Sequence, residues 1–389
     1  MDVSAFLAKH WITIAFYSAV ILLLIINRKK FEFQGKFIAL RRTKIGIPWM
    51  ERFSKKHAET IKIFGYTGIG IGFAGMVFIF GYVVKAFVEL FTNPAAPAAF
   101  SLVLPGVNIP GSPIYIPLWV IGALFIVVLL HEGGHGIVAK AHGVKIKNTG
   151  IVFFGPLVGA FVDPDEKQIE KSSDVVKYSI FAAGPFANFL TAIVALLLIV
   201  VLFNPLTNTM VDPVGFSFTD VQDGLPADIA GIIPGVTYNI INGQNVTSAD
   251  ELLVSLSSLH PNDTIEIANS SDSLTVILGS HPEDSTRGYL GVLGVNTETE
   301  VQDNIPYWFY VLFRWVAEFI MWIFILSIGL GAFNLLPLGP VDGGQMIRLA
   351  LEKTKGVKKG RLIWGRLAMI LFVMILFLVF LPIIRTVFF

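Results

Sequence analysis

Six long runs of apolar residues organise the chain, at about 6–26, 63–91, 114–140, 176–203, 306–333 and 362–388. A helix needs roughly 20 such residues to cross a bilayer, and the runs meet that length. Charge fills the gaps unevenly. The segment 27–62 holds eleven Lys/Arg against three Glu. The tract 348–366 carries Arg348, Lys353, Lys355, Lys358, Lys359, Arg361 and Arg366. From Tyr178 to Phe313 the single basic residue is Arg287. Lys and Arg concentrate in cytoplasmic loops. Residues 27–62, the turn at Lys140, Lys145 and Lys147, and 348–366 are therefore expected inside. The N-terminus, the uncharged loop 92–113 and the insert after the fourth span are expected outside. No cleavable leader is expected, because the basic residues follow the first apolar run rather than precede it.

Two stretches break the helical pattern. Residues 150–162 are apolar, β-branched or aromatic around Gly155-Pro156, a turn pair. They predict a short hairpin at membrane depth beside the third span. A plain interfacial loop remains the alternative, since short apolar runs are ambiguous. Residues 213–297 are a compositional island. They read as strand 215–222, short helix 226–230, strand 236–241, a turn at Asn242-Gly243, helix 248–259, and strands 264–268 and 273–278. Asn-Gly favours a tight hairpin turn. Ser248 followed by Glu251 fits a capping box. The expected parts are membrane segments 1–205 and 304–389 around an α+β domain at 213–297.

Composition agrees with this division. Of 389 residues, 54% are hydrophobic, and the mean hydropathy is +0.70. Soluble domains lie nearer 45–50% apolar. A net charge of +1 leaves no overall nucleic-acid footprint. The absence of cysteine excludes disulfides and thiolate metal sites.

The candidate chemistry begins at the end of the third span, in His131-Glu132-Gly133-Gly134-His135. Positions i and i+4 share a helix face. Both imidazoles can therefore reach one zinc ion, with Glu132 beside them as a base for a water that the metal activates. Two satisfied core histidines are the plainer alternative. Ionisable residues inside a span are costly, at roughly 2.5–3.5 kcal/mol for charged types at mid-helix, which favours function. With the span starting near Ile114, His131 lies about 25 Å along it, in the cytoplasmic third of the membrane. The metzincin extension is absent, because Val138 and Ala141 stand where Gly and His are needed. Glu166 and Glu170 rank low as ligands, being in a polar loop.

Two helix breaks carry further candidates. The fourth span opens with Gly184-Pro185 and Asn188, which reads equally as small-residue packing or as a polar group facing the metal. The fifth span runs into Asn334-Leu335-Leu336-Pro337-Leu338-Gly339-Pro340-Val341-Asp342-Gly343-Gly344, which cannot be mid-helix. Asp342 is either the N-cap of the next helix or the third protein ligand that a two-His zinc site requires. It is the best-placed carboxylate.

In these residues the chain resembles the site-2 protease family of intramembrane zinc metalloproteases. His131 to His135 match its H-E-x-x-H. Asn334, Pro337, Asp342 and Gly343 match its N-x-x-P-x-x-x-x-D-G, with Val341 where Leu is more usual. Gly184-Pro185 with Asn188 resembles its third short motif. The insert resembles a PDZ domain through Leu225-Pro226-Ala227, Ala230-Gly231, Pro234-Gly235 and Ile241-Asn242-Gly243, although Val236-Thr237 replaces the usual Asp. The order of its parts suggests a circular permutation, with Tyr289-Leu290-Gly291-Val292 as the carboxylate-binding loop.

The resemblance implies a polytopic α-helical membrane protein with a membrane-associated β-hairpin and an inserted extracytoplasmic PDZ domain. It implies Zn²⁺ on His131, His135 and Asp342, and Glu132 as catalytic base. Asn188 and Asn334 become candidates for the oxyanion or substrate backbone. The implied substrates are transmembrane segments of membrane-anchored signalling proteins, cut in regulated intramembrane proteolysis. The implied place is the cell membrane, with the active site toward the cytoplasm and a peptide C-terminus as a candidate PDZ ligand. The alternatives are a membrane metal transporter, which needs ionisable residues along several spans, and an inactive PDZ-bearing scaffold, which would lack Glu132 or a ligand.

Overall fold

The computed structural model describes residues 3–35, 38–93, 99–100, 104–107, 115–282 and 284–388. Most of the loop 92–113 lies outside these. The chain begins with α1 (Val3–Ile26), β1 (Glu32–Gln34), β2 (Ile38–Thr43), α2 (Ile47–Lys56), α3 (Ala58–Thr92) and α4 (Val120–Ala141). It continues with β3 (Ile146–Phe154), β4 (Leu157–Pro164), α5 (Glu166–Lys171), α6 (Asp174–Leu198) and α7 (Asn204–Asn208). The insert supplies β5 (Val211–Val221), α8 (Pro226–Ile229), β6 (Ile240–Ile241), β7 (Gln244–Asn245), α9 (Ala249–Ser257), β8 (Thr264–Ala268) and β9 (Ser273–Ile277). It ends with β10 (Gly279–Ser280), β11 (Gly288–Tyr289) and β12 (Val292–Val301), before α10 (Tyr307–Asn334), α11 (Asp342–Lys355) and α12 (Val357–Phe388).

Among the described residues six helical segments are long and apolar enough to cross a membrane: Lys9–Ile26, Ala58–Thr92, Val120–Ala141, Asp174–Asn208, Tyr307–Asn334 and Val357–Arg385. Their outward faces stay apolar, as Val77, Phe78 and Ile370 show. A helix apolar all round suits lipid or a large core rather than water. The chain divides into two units, Met1–Ile199 with Glu318–Phe389, and Val200–Ala317.

Small residues let the helices of the first unit approach. In α3, Gly68 and Gly72 face Phe186 and Met346. Such contacts drive packing where lipid is as apolar as the protein. Ile61, Val138, Ala139, Ile146, Ile180 and Ala183 form one buried cluster joining α3, α4, β3 and α6. The helix α4 starts later than its apolar run, because Pro117 occupies the turn before it and Val120 N–H bonds to Pro117 O. His131 therefore stands about 16 Å along α4, near its middle.

Strands β1 to β4 form one antiparallel sheet in chain order. The β3–β4 register runs from Ile146 opposite Pro164 to Phe154 opposite Leu157, around Gly155 at φ +57°. The sheet exceeds the expected two strands, because β2 pairs with β3 from Ile38–Phe154 to Thr43–Thr149 and β1 adds to β2. Strands β1 and β4 are its edges.

The second unit is built on alternation. Phe216 and Phe218 of β5 and Ile265 and Ile267 of β8 are fully buried, with Leu252 of α9. Removing one such ring to Ala costs about 3–5 kcal/mol. Strand β5 pairs antiparallel with β12, and β7-β6-β8-β9 form a second sheet. Asn242 and Gly243 both have positive φ, as a primed hairpin turn requires. Ser248 Oγ accepts Glu251 N–H at 3.2 Å. The reciprocal arm shifts by one residue, since Glu251 Oε2 accepts Thr247 N–H at 2.7 Å.

Candidate metal centre

Three elements bring the site together. The helix α4 carries His131 and His135 one turn apart. Between α10 and α11, Pro337 and Pro340 interrupt the helical ladder, and α11 restarts at Asp342. Its N-cap position is Val341 and no side chain caps it, so Asp342 is free of the capping role. The third element, α6, lays Gly184 against both imidazoles. A Cβ built on Gly184 would meet His131 Nε2 at 2.6 Å.

The ligand atoms converge. His131 Nε2 lies 3.2 Å from His135 Nε2. Asp342 Oδ2 lies 3.1 Å from His131 Nε2 and 3.4 Å from His135 Nε2. Zinc ligands at 2.0–2.1 Å in a tetrahedron are about 3.3–3.4 Å apart. The three separations fit that geometry. Among the described residues this is the one His/Asp/Glu group of its kind; Glu166 sits instead in the first turn of α5.

Protonation also fits a metal. His135 Nδ1 lies 2.7 Å from Ile180 O and can only donate to it, so in the neutral imidazole the lone pair is on Nε2. Asp342 Oδ2 is buried without a hydrogen-bond partner. Acceptor atoms aimed at one point repel unless a cation lies among them. Asn188 Nδ2 lies 3.1 Å from His131 Nδ1, while Asn188 Oδ1 is buried and unpartnered. Turning this carboxamide over pairs Oδ1 with Nδ1–H and frees the Nε2 lone pair of His131. Both histidines then have the arrangement typical of zinc sites, with the distal nitrogen bonded to an oxygen.

Glu132 is tied to the sheet. Its Oε2 accepts the backbone N–H of Val162 on β4 at 3.0 Å. Two cavities open onto it. One, of about 680 Å³, includes Arg42, Asp163, Val128 and Gly159 in its lining. The other, of about 820 Å³, includes Trp49, Phe53, Gly133 and Ala187.

The remaining sequence candidates lie outside this group. Asn334 donates to Leu330 O in its own helix at 3.0 Å. In the second unit, Tyr289 bonds Gln222 Oε1 at 2.7 Å and Leu290 is buried in the core. Gly291 has φ +77° and is packed closely against Leu225, and Val292 starts β12. Sequence reasoning missed the carbonyl of Ile180 and the N–H of Val162. Backbone groups carry no residue-type signal, so only the fold reveals them.

Comparison with known proteins agrees with the geometry. Residues 119–380 match the model of peptidase family M50. An uncharacterized protein of Methanocaldococcus jannaschii is 28% identical over 314 residues, covering 79% of this chain and 76% of its own length. The matched span contains every residue of the His/Asp group, and the chain belongs to peptidase family M50, the site-2 protease family of metallopeptidases.

Proposed function

We propose that the protein is an intramembrane zinc endopeptidase that hydrolyses a peptide bond within transmembrane segments of membrane-anchored proteins, signalling precursors among them. One observation carries this reading. Two imidazole nitrogens and a buried carboxylate oxygen converge within 3.4 Å of one another in a six-span protein, one residue from a carboxylate that faces two cavities.

His131, His135 and Asp342 would hold the zinc. When bound, zinc supplies a Lewis acid that polarises a carbonyl oxygen and lowers the pKa of water. Glu132 takes a proton from the attacking water and passes it to the leaving amide nitrogen. Asn188 and the carbonyl of Ile180 hold the two imidazoles in register, so Asn188 acts as a positioning residue. The edge strand β4 presents backbone donors to an unwound substrate by strand addition. The domain at 213–297, read as a permuted PDZ on the outer side, screens the outer part of substrates by size or by a new C-terminus. The basic loops at 27–62 and 348–366 support an active site nearer the cytoplasm. Among the described residues one group of side chains could hold a metal, His131, His135 and Asp342, whereas a transporter calls for ligands along several spans.

The test is incubation of purified protein in bilayers with membrane-spanning peptides. The proposal expects products cut inside the span, lost on zinc chelation and restored by zinc. An intact peptide under all conditions, or zinc-dependent ion flux in its place, contradicts it.

A further inference from the structure

Three glycines of the α4 site turn face three different surroundings. A Cβ on Gly134 would meet Ala183 O at 2.8 Å and Ala187 Cβ at 3.0 Å, so this glycine is required for packing on α6. A Cβ on Gly136 would meet Met50 Sδ at 2.6 Å, which admits α2. A Cβ on Gly133 meets nothing within 4 Å. Glycine weakens a helix relative to alanine, and here no neighbour requires it.

The space beside Gly133 is the larger of the two cavities on Glu132. Its volume of about 820 Å³ is typical of ligand pockets. Phe125 and Leu129 of α4 line it, with Ala187 of α6. Trp49 and Phe53 of α2 also line it, their rings stacked at 5.3 Å. The helix α2 is fixed to α4 where Ser54 Oγ donates to Ile137 O at 2.9 Å. These walls are apolar and held in place, and the proposed base, Glu132, borders the same cavity.

We propose that Gly133 opens a subsite for a large apolar side chain of the substrate beside the scissile bond, with Trp49 and Phe53 as its wall. This rests on the protease reading. A substrate chain that reaches Glu132 must pass Gly133, and the bare backbone there lets a bulky neighbour of the scissile bond enter the cavity.

The test uses the full chain in bilayers and membrane-spanning peptides in which Phe, Leu or Ala is scanned along the span. Cleavage is measured on the native protein and on Gly133→Ala and Gly133→Leu. Peptide affinity is measured with the same substitutions on a Glu132→Gln background, so binding is read without turnover. Zinc content and thermal stability are recorded for each variant. The native protein should prefer Phe or Leu over Ala at one position by about 10-fold or more, and Gly133→Ala should erase most of that preference at that position. Gly133→Leu should erase it fully, with zinc content unchanged in both. An unchanged preference overturns the subsite. So does a uniform loss across all positions, which is what a lipid-filled cavity would give. If the native protein cuts no peptide, the protease reading fails, and the affinity scan then decides only whether the cavity at Gly133 takes an apolar side chain.

Discussion

Val162 donates its backbone N–H to Glu132 Oε2 at 3.0 Å, so the proposed base is tied to an edge strand of the sheet. This bond also orients the strand. If Val162 N–H points away from β3, then Ala160 and Val158, two and four residues earlier in continuous register, point the same way. Their donors face the edge of β4 that no strand pairs with. We predict that Val158→Pro removes one outward donor, leaves the β3–β4 ladder intact and slows cleavage about 10-fold or less, the loss of one hydrogen bond. Zinc content should stay native. Val152→Pro is a poor companion test, since Val152 lies between β2 and β4 and its proline would break the sheet. Native cleavage rates in Val158→Pro would remove strand addition from the account.

Zinc retention should depend on the groups that aim the ligands. Asp342→Ala removes one of three protein ligands, and metal analysis should find the site depleted. Asn188→Leu keeps the volume but loses the bond to His131 Nδ1. It should weaken zinc by about 10–100-fold, the usual effect of losing an outer partner. Full zinc occupancy in Asp342→Ala would move the third ligand elsewhere.

Gly184→Ala is a minimal steric test. Its methyl would come within 2.6 Å of His131 Nε2, in a span otherwise compatible with alanine. Helix content should be native and zinc affinity should fall by about 10-fold or more. Unchanged affinity would mean that α6 can shift away from the histidines.

Parts of this arrangement were readable from residue spacing and parts were not. Helical periodicity puts His131 and His135 on one face, and the H-E-x-x-H pattern adds Glu132. Asp342 needed one more step, the recognition that two prolines end a helix and that the remaining carboxylate needs a use. The strands β1 and β2 gave no signal, because Glu32–Gln34 and Ile38–Thr43 are short and charged and pair through backbone groups. Gly133 and Gly134 are identical as letters; only their neighbours separate packing from open space. Asn188 reads from the sequence equally as helix packing or as a polar group at the metal pocket, and the fold adds its contact with His131.

The domain at 213–297 should act as a filter. Replacing it with a flexible linker should preserve zinc and cleavage of short membrane peptides, because none of the ligand residues belongs to it. The deletion should also admit substrates with bulky outer domains that the intact chain refuses. Equal selectivity before and after deletion, tested on both substrate sizes, would assign the domain another role.

The most direct measurement is the turnover of Glu132→Gln on a membrane-spanning peptide, with zinc determined on the same sample. The amide keeps the shape of the side chain and can still face Val162, but it cannot take a proton from water. The account predicts native zinc content with a rate lower by about 10²–10⁴-fold, the usual contribution of a general base. Near-native turnover with native zinc would contradict it.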